Sequence, residues 1–298
     1  MDYNYYVCDK TSPQNHIFDL TEIEFKELEN LYQTFSKFSN IVDCYYNFII
    51  SAQDLIDLLD FISSPKCNKN KNDEVMKIYS HLKYRFVTNV MFGRLLYDNY
   101  QNFCKLLKKN QFNTIKEKYK TNESFMMMKL LRDYSAHYSL AISGLTRSIS
   151  FTQKFDQLSI YVEKGDLEKN YGANRENDQF LKTIDKDKIL LIDEFYKWRD
   201  AVDEFYNEVL ESFVDTMTVI QKELFYSNFK YRNGLPNFVD PKLFIPDSIH
   251  MTLPQKNNPV ELDGKKYIES KTIKFYSFNT PALEEVINVL KEKFKRVD

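Results

Sequence analysis

Glycine and proline are scarce, at six and eight in 298 residues. Glycine supplies left-handed turns and proline fixes bends, so a chain poor in both is built from long elements with few connections. Cysteine is sparse as well. Cys8, Cys44, Cys67 and Cys104 form no CxxC pair and have no histidine at ligand spacing, which speaks against a zinc site and a disulfide framework. Reduced thiols in a cytosol are expected. Asp and Glu interrupt every apolar run before it reaches membrane-spanning length, and Met1-Asp2-Tyr3-Asn4-Tyr5-Tyr6 lacks the basic start and apolar core of a signal peptide. These absences point to a cytoplasmic protein with no membrane contact. Neither charge dominates: the formal net charge of −2 gives no global nucleic-acid signature and leaves any contact with a polyanion to a local patch. There is no internal repeat and no low-complexity tract.

What the chain does contain is helical periodicity and a hydrophobic content of 43%, enough for a substantial core. Asp19-Leu20-Thr21-Glu22 offers N-cap chemistry after a short polar leader. Phe25, Leu28, Phe35, Phe38, Ile41, Phe48, Leu55 and Ile62 then recur at helical spacing, as one helix or two end to end, up to Pro65. A polar loop over 65–72 leads to a second long helix from Asp73-Glu74 to about Leu107. Asn122-Glu123-Ser124 caps a third helix reaching about Leu145. Alternation over 148–162 predicts a short strand pair, 165–178 reads as a loop, and a fourth helix is expected from Asp187 to Tyr226. The remainder has strand-like pieces at 249–253 and 273–278 and a terminal helix over 280–297. The fold expected is mainly α: an up-and-down bundle of long helices over 1–228 with a β-hairpin-like insert near 148–165, and a small C-terminal α/β appendage over 229–298.

Two local features carry chemistry. Between Lys105 and Lys120 there are six lysines and one glutamate, the most basic stretch of the chain. Lys105, Lys108, Lys109, Lys116, Lys118 and Lys120 are therefore candidate RNA contacts, although the same run also reads as a solvated helix end. The second feature is Arg132-Asp133-Tyr134-Ser135-Ala136-His137 within the third helix. With eight arginines and four histidines in the chain, an Arg-x4-His match arises by chance in roughly one such sequence in ten, so context must supply the rest. On a helix, Met127, Leu131 and Tyr134 form the core-facing stripe. Arg132 and His137 lie about 140° apart on the other side, flanking the small Ala136. Asp133, at i,i+4 from His137, is placed to orient it. The Met126-Met127-Met128 run is assigned to packing.

These residue types suit RNA transesterification. Histidine serves both proton roles near neutrality, and arginine offers a planar fork of donors to phosphate oxygens. The roles need no metal ion and no cofactor. One histidine does not reach both sides of a scissile phosphate, so a second copy of the same helix across a two-fold axis is expected to complete the site.

Leu-Arg-Asp-Tyr-x-Ala-His-Tyr on a late helix of a bundle resembles the HEPN superfamily, whose motif is Arg, a polar residue, three variable residues and His. Arg132, Asp133 and His137 match each defining position. The resemblance covers roughly residues 21–228. It implies a helical bundle dimerising through the motif helix and acting as a metal-independent ribonuclease in a toxin–antitoxin or defence setting, with an antitoxin or other regulator as a further partner. Toxins of the family paired with a nucleotidyltransferase often carry a tyrosine two residues after the histidine. Ser139 stands there, so tyrosine modification is not carried over. Other members of the family are non-catalytic scaffolds or RNA-binding modules.

Overall fold

The first departure from the sequence pattern comes at the N-terminus. Residues that composition reads as a polar leader pair into an antiparallel hairpin, β1 (Tyr6–Asp9) with β2 (Ser12–Asp19), and Val7 of this hairpin is buried. The computed structural model describes residues 6–9, 12–64, 66–137, 139–150, 155–169, 175–229, 237–240, 260–262, 265–267, 274–278 and 280–295. The chain is mainly α with short β segments. The strand-like piece expected at 249–253 lies outside the described residues.

Thr21 Oγ1 accepts the Glu24 N–H at 3.2 Å, and the Glu24 carboxylate accepts the Thr21 N–H at 2.8 Å. This reciprocal cap starts α1 (Glu22–Ser63), a single uninterrupted helix of 42 residues. It is followed by α2 (Asn72–Leu107) and then by α3 (Asn110–Lys120), so the lysine-rich segment is itself helical and buries Phe112, Ile115 and Tyr119. Lys108 turns the chain between them at φ 52°, the left-handed region that a Cβ disfavours, while its N–H closes onto the Cys104 carbonyl at 3.0 Å. Lys108→Gly is therefore expected to raise stability by about 0.5–1 kcal/mol in urea denaturation.

Asn122 Oδ1 accepts the N–H groups of Ser124 and Phe125 and caps α4 (Glu123–His137). The helix ends at His137, not near Leu145 as its apolar spacing predicts. The Ser139 N–H bonds back to the Tyr134 carbonyl, and Ser135 Oγ takes the Ala141 N–H, so the backbone is turned out of the helix. Next come β3 (Gly144–Ser150) and β4 (Phe155–Glu163), the expected strand pair, in register from Gly144↔Tyr161 to Ser150↔Phe155. Where a loop is expected, the chain forms one turn, α5 (Lys164–Leu167), and a nine-residue helix, α6 (Arg175–Thr183), burying Asn177, Phe180 and Leu181. β5 (Lys188–Leu190) adds a third strand to the β3-β4 sheet.

The expected fourth helix is broken. α7 (Leu191–Asp215) stops, and Thr218 with Gln221 forms a capping box that starts α8 (Val219–Glu223), which runs into a π-helical turn over Leu224–Phe229. The C-terminal part contains β6 (Asn237–Asp240), the pair β7 (Val260–Leu262) and β8 (Lys265–Tyr267), β9 (Lys274–Ser277) and α9 (Thr280–Lys295).

The chain divides into two compact units, one of residues 1–39 with 213–298 and the other of 40–212, so a boundary at 228/229 falls inside the first. In the first unit β2-β1-β6-β9 form a four-stranded sheet, and Phe38 stacks on Phe213 at 4.0 Å beside Phe35, Phe225 and Phe278. The second unit holds the motif helix. Its core gathers Trp198 against Phe125 at 4.7 Å and Phe48 at 6.0 Å, with Phe205 among Tyr97, Tyr100, Tyr119 and Phe125. Gly93 of α2 lets the helix meet the indole: a Cβ there would fall 2.8 Å from Trp198 Cε2 and closer still to Cζ2. Cys44, Cys67 and Cys104 are free thiols, and no helix among the described residues is long and apolar enough to cross a membrane.

Candidate functional site

Phe125, Met127, Met128, Leu130, Leu131 and Tyr134 bury one side of α4, which leaves Arg132 half-buried and Ala136 and His137 exposed on the other. The arginine and the histidine thus both lie off the buried side of the helix, with His137 its last residue. Among the described residues the His137 side chain makes no hydrogen bond or ion pair. Asp133 does not orient it. Its carboxylate meets Arg132 Nη1 at 3.3 Å and accepts the Asn177 amide of α6 at 2.8 Å. Asp133 therefore ties α4 to α6 and steadies the arginine.

Arg132 has a second carboxylate, Asp98 of α2, whose Oδ2 lies 3.4 Å from Nη2. The other oxygen of Asp98 lies 3.2 Å from Nη2 of Arg94, one turn earlier on α2. Arg94 thus stands beside the motif, sharing Asp98 with Arg132. Arg85 reaches the Asp54 carbonyl, and Asn89 is buried against the Phe48 carbonyl and Ser51 Oγ. The Arg94 side chain is 6% exposed and lies over the Tyr97 ring at 5.1 Å. Burial holds its guanidinium below the usual arginine range, with Asp98 opposing and Arg132 adding to the effect. The Nε atoms of Arg94 and Arg132 are both buried without a hydrogen-bond partner among the described residues.

These groups line a cleft of about 570 Å³ formed by α2, α3, α4 and α6. Tyr97, Tyr119, Phe125 and Phe180 give it an aromatic lining, and Gln101, Gln179 and Asn177 contribute amides. Lys129, one turn before Arg132 on α4, and Lys120 share Glu176, at 2.6 and 3.4 Å, and the bond from Lys129 holds the Glu176 carboxyl below its ordinary range.

The lysine-rich segment is dispersed. Lys118 is ion-paired to Glu208 and to Glu204, and the Glu208 bond raises its pKa. Lys116 pairs with Glu117, and Lys105 reaches Asn102 Oδ1. Lys108 and Lys109 form the turn between α2 and α3, and Lys120 alone of the six lines the cleft. His81 is exposed on α2, and His250 lies outside the described residues. Among the described residues, no three His, Cys, Asp or Glu side chains gather as metal ligands would.

Sequence reasoning reached Arg132, Asp133 and His137 but not Asp98, Lys129 or Glu176. Asp98 had a local signal, since Arg94 and Asp98 stand at i,i+4 on one helix. The fold and site together define a mainly α protein with a cation-rich cleft beside an Arg-x4-His helix. No protein-family model, curated protein or solved structure matches the chain.

Proposed function

We propose that this chain is a metal-independent endoribonuclease of HEPN type that works as a cytoplasmic homodimer, in a toxin or defence role under an antitoxin or other regulator. The observation that carries the proposal is that Arg132 lines a cationic cleft and His137, five residues on, stands exposed at the end of the same helix. Arg132 binds a non-bridging phosphate oxygen and stabilises the charge that builds on phosphorus. His137 takes the proton of the ribose 2′-hydroxyl, the 2′-oxygen attacks phosphorus, and the bond to the 5′-oxygen breaks. The leaving oxygen receives a proton from His137 of the second copy, giving a 2′,3′-cyclic phosphate and a 5′-hydroxyl end. Asp133 is a positioning residue that holds Arg132.

A second reading, a non-catalytic scaffold or RNA-binding module of the same fold, is favoured by one observation: His137 has no orienting partner among the described residues.

Incubation of total and transfer RNA with the purified chain in EDTA separates the two. The ribonuclease reading expects cutting with cyclic-phosphate ends, carried by a species sedimenting as a dimer. RNA that is bound but left intact by well-folded dimer supports the binding module instead.

A further inference from the structure

The hairpin of α1 and α2 has its charges sorted by helix. From Asn40 to Pro65 the sequence holds four aspartates and no lysine, arginine or histidine, while from Val75 to Tyr97 it holds two lysines, two arginines and a histidine and no carboxylate. Asp43, Asp54, Asp57 and Asp60 are exposed on α1 and make no ion pair among the described residues. Lys77 and His81 are exposed on α2 and likewise have none.

Apolar side chains stand among these charges. Ile50 and Phe61 of α1 and Tyr84, Met91 and Leu95 of α2 are 45% to 69% exposed, which leaves about 600 Å² of their surface in water, the upper end of what a monomer carries in one patch. At about 100° per residue, Asp43, Ile50, Asp54, Asp57 and Phe61 fall within about 60° of arc on α1, and Lys77, Tyr84, Met91 and Leu95 within about 40° on α2. Each stripe lies about 100° round from the contact between the two helices, in the same sense, so on an antiparallel pair both open on one side. The Asn89 amide donates to Ser51 Oγ at 3.0 Å and Arg85 donates to the Asp54 carbonyl, which sets Ile50 level with Met91 and sets Asp57 and Asp60 level with His81.

A second copy of the chain fits this face, and the charges choose how. A two-fold axis running along the helices lays α1 of one copy over α2 of the other at unchanged height, so that Ile50 meets Met91 and the aspartates meet His81 and Lys77. A two-fold axis running across the helices lays α1 on α1, acid against acid.

We propose that the outer face of α1 and α2 is a homodimer interface in which each α1 packs antiparallel on α2 of the second copy. It uses neither Arg132 nor His137 and does not rest on the motif-helix contact of the ribonuclease reading. Where both contacts form, the assembly has four copies.

Sedimentation of the full chain over a range of micromolar concentrations tests it. The wild type is expected to sediment as a dimer, or as a tetramer where the motif helices also pair, and Ile50→Asp is expected to halve that mass. Asp57→Lys with Asp60→Lys, and separately Lys77→Glu with His81→Glu, are each expected to weaken association at least about tenfold, since every change acts twice across the two-fold axis. An equimolar mixture of these two double variants restores opposite charges in a mixed dimer and is expected to recover wild-type association, which no effect inside a single chain produces. Thermal melts followed by circular dichroism confirm that each variant is folded, all the altered side chains being exposed. A wild type that stays monomeric overturns the inference and leaves the face to a partner of another sequence. Wild-type mass kept by Ile50→Asp and by both reversed variants overturns it as well and assigns association to the motif helix. Association lost in the variants, with no RNA cutting by any form, leaves the inference standing and removes the ribonuclease reading.

Discussion

His137→Ala is expected to lower metal-free RNA cleavage by about 10²–10⁴-fold while leaving stability within about 0.5 kcal/mol of wild type. The two halves of this expectation have separate physical causes. The imidazole is the proposed proton carrier, so its loss removes general acid and base catalysis. It is also exposed, ends its helix and holds nothing among the described residues, so the fold does not notice its absence. Arg132→Ala should also abolish cutting but with a different signature. It leaves Asp98 to Arg94 alone and Asp133 with only the Asn177 amide, and a loss of about 1 kcal/mol is expected after allowing for the exposure of Asp98. Arg132→Lys keeps the charge without the fork and should recover part of the stability but little of the rate. Single-turnover cleavage in EDTA, alongside thermal melts, reads both effects. Wild-type cutting by folded His137→Ala would falsify the assignment of the proton carrier.

The largest effect on stability is expected from a single methyl group. Gly93→Ala normally favours a helix by about 1 kcal/mol. Here the added Cβ meets the Trp198 ring between Phe48 and Phe125, where neither the backbone of α2 nor the enclosed indole has room to move. Overpacking of this kind costs about 1–3 kcal/mol and sometimes more, so after the helix gain a net loss of about 1–2 kcal/mol is expected in urea denaturation. Trp198→Phe introduced alongside should recover part of the loss, because the smaller ring vacates the contested space. Equal or higher stability of the single variant would show that the α2 to α7 contact relaxes more easily than its geometry implies.

The long helices were legible because each buries a stripe at steady three- and four-residue spacing, and the β3-β4 pair because that spacing changed to alternation. The end of α4 was not. Tyr134, Tyr138, Ile142 and Leu145 continue the helical rhythm in sequence, yet Ala141 and Ile142 are buried outside the helix and Leu145 enters a strand. Apolar spacing records which residues need burial, not which backbone conformation achieves it. The break after α7 did have a written signal, Thr218 three residues before Gln221, overridden in the sequence pattern by the apolar residues on either side. β1 is only four residues long and β2 is largely polar, and strands of either kind are specified by their partners more than by their own residues. The site divides in the same way. Arg132 and His137 are near neighbours in sequence and were found together. The partners that define the cleft come from α2 and α6, and Asp98 is 34 residues from Arg132. Only the folded arrangement reveals that two arginines share its carboxylate.

Trp198 is the one tryptophan in the chain, and it lies fully enclosed in the unit of residues 40–212 against Phe125, a residue of the motif helix that also lines the cleft. The molecule therefore carries its own optical label. Indole emission reports the opening of that unit without any dye, while the unit of residues 1–39 and 213–298, which has no indole, stays dark at the same wavelengths. Comparing the fluorescence transition with the far-ultraviolet dichroism of the whole chain would then show whether the two units unfold together or one before the other.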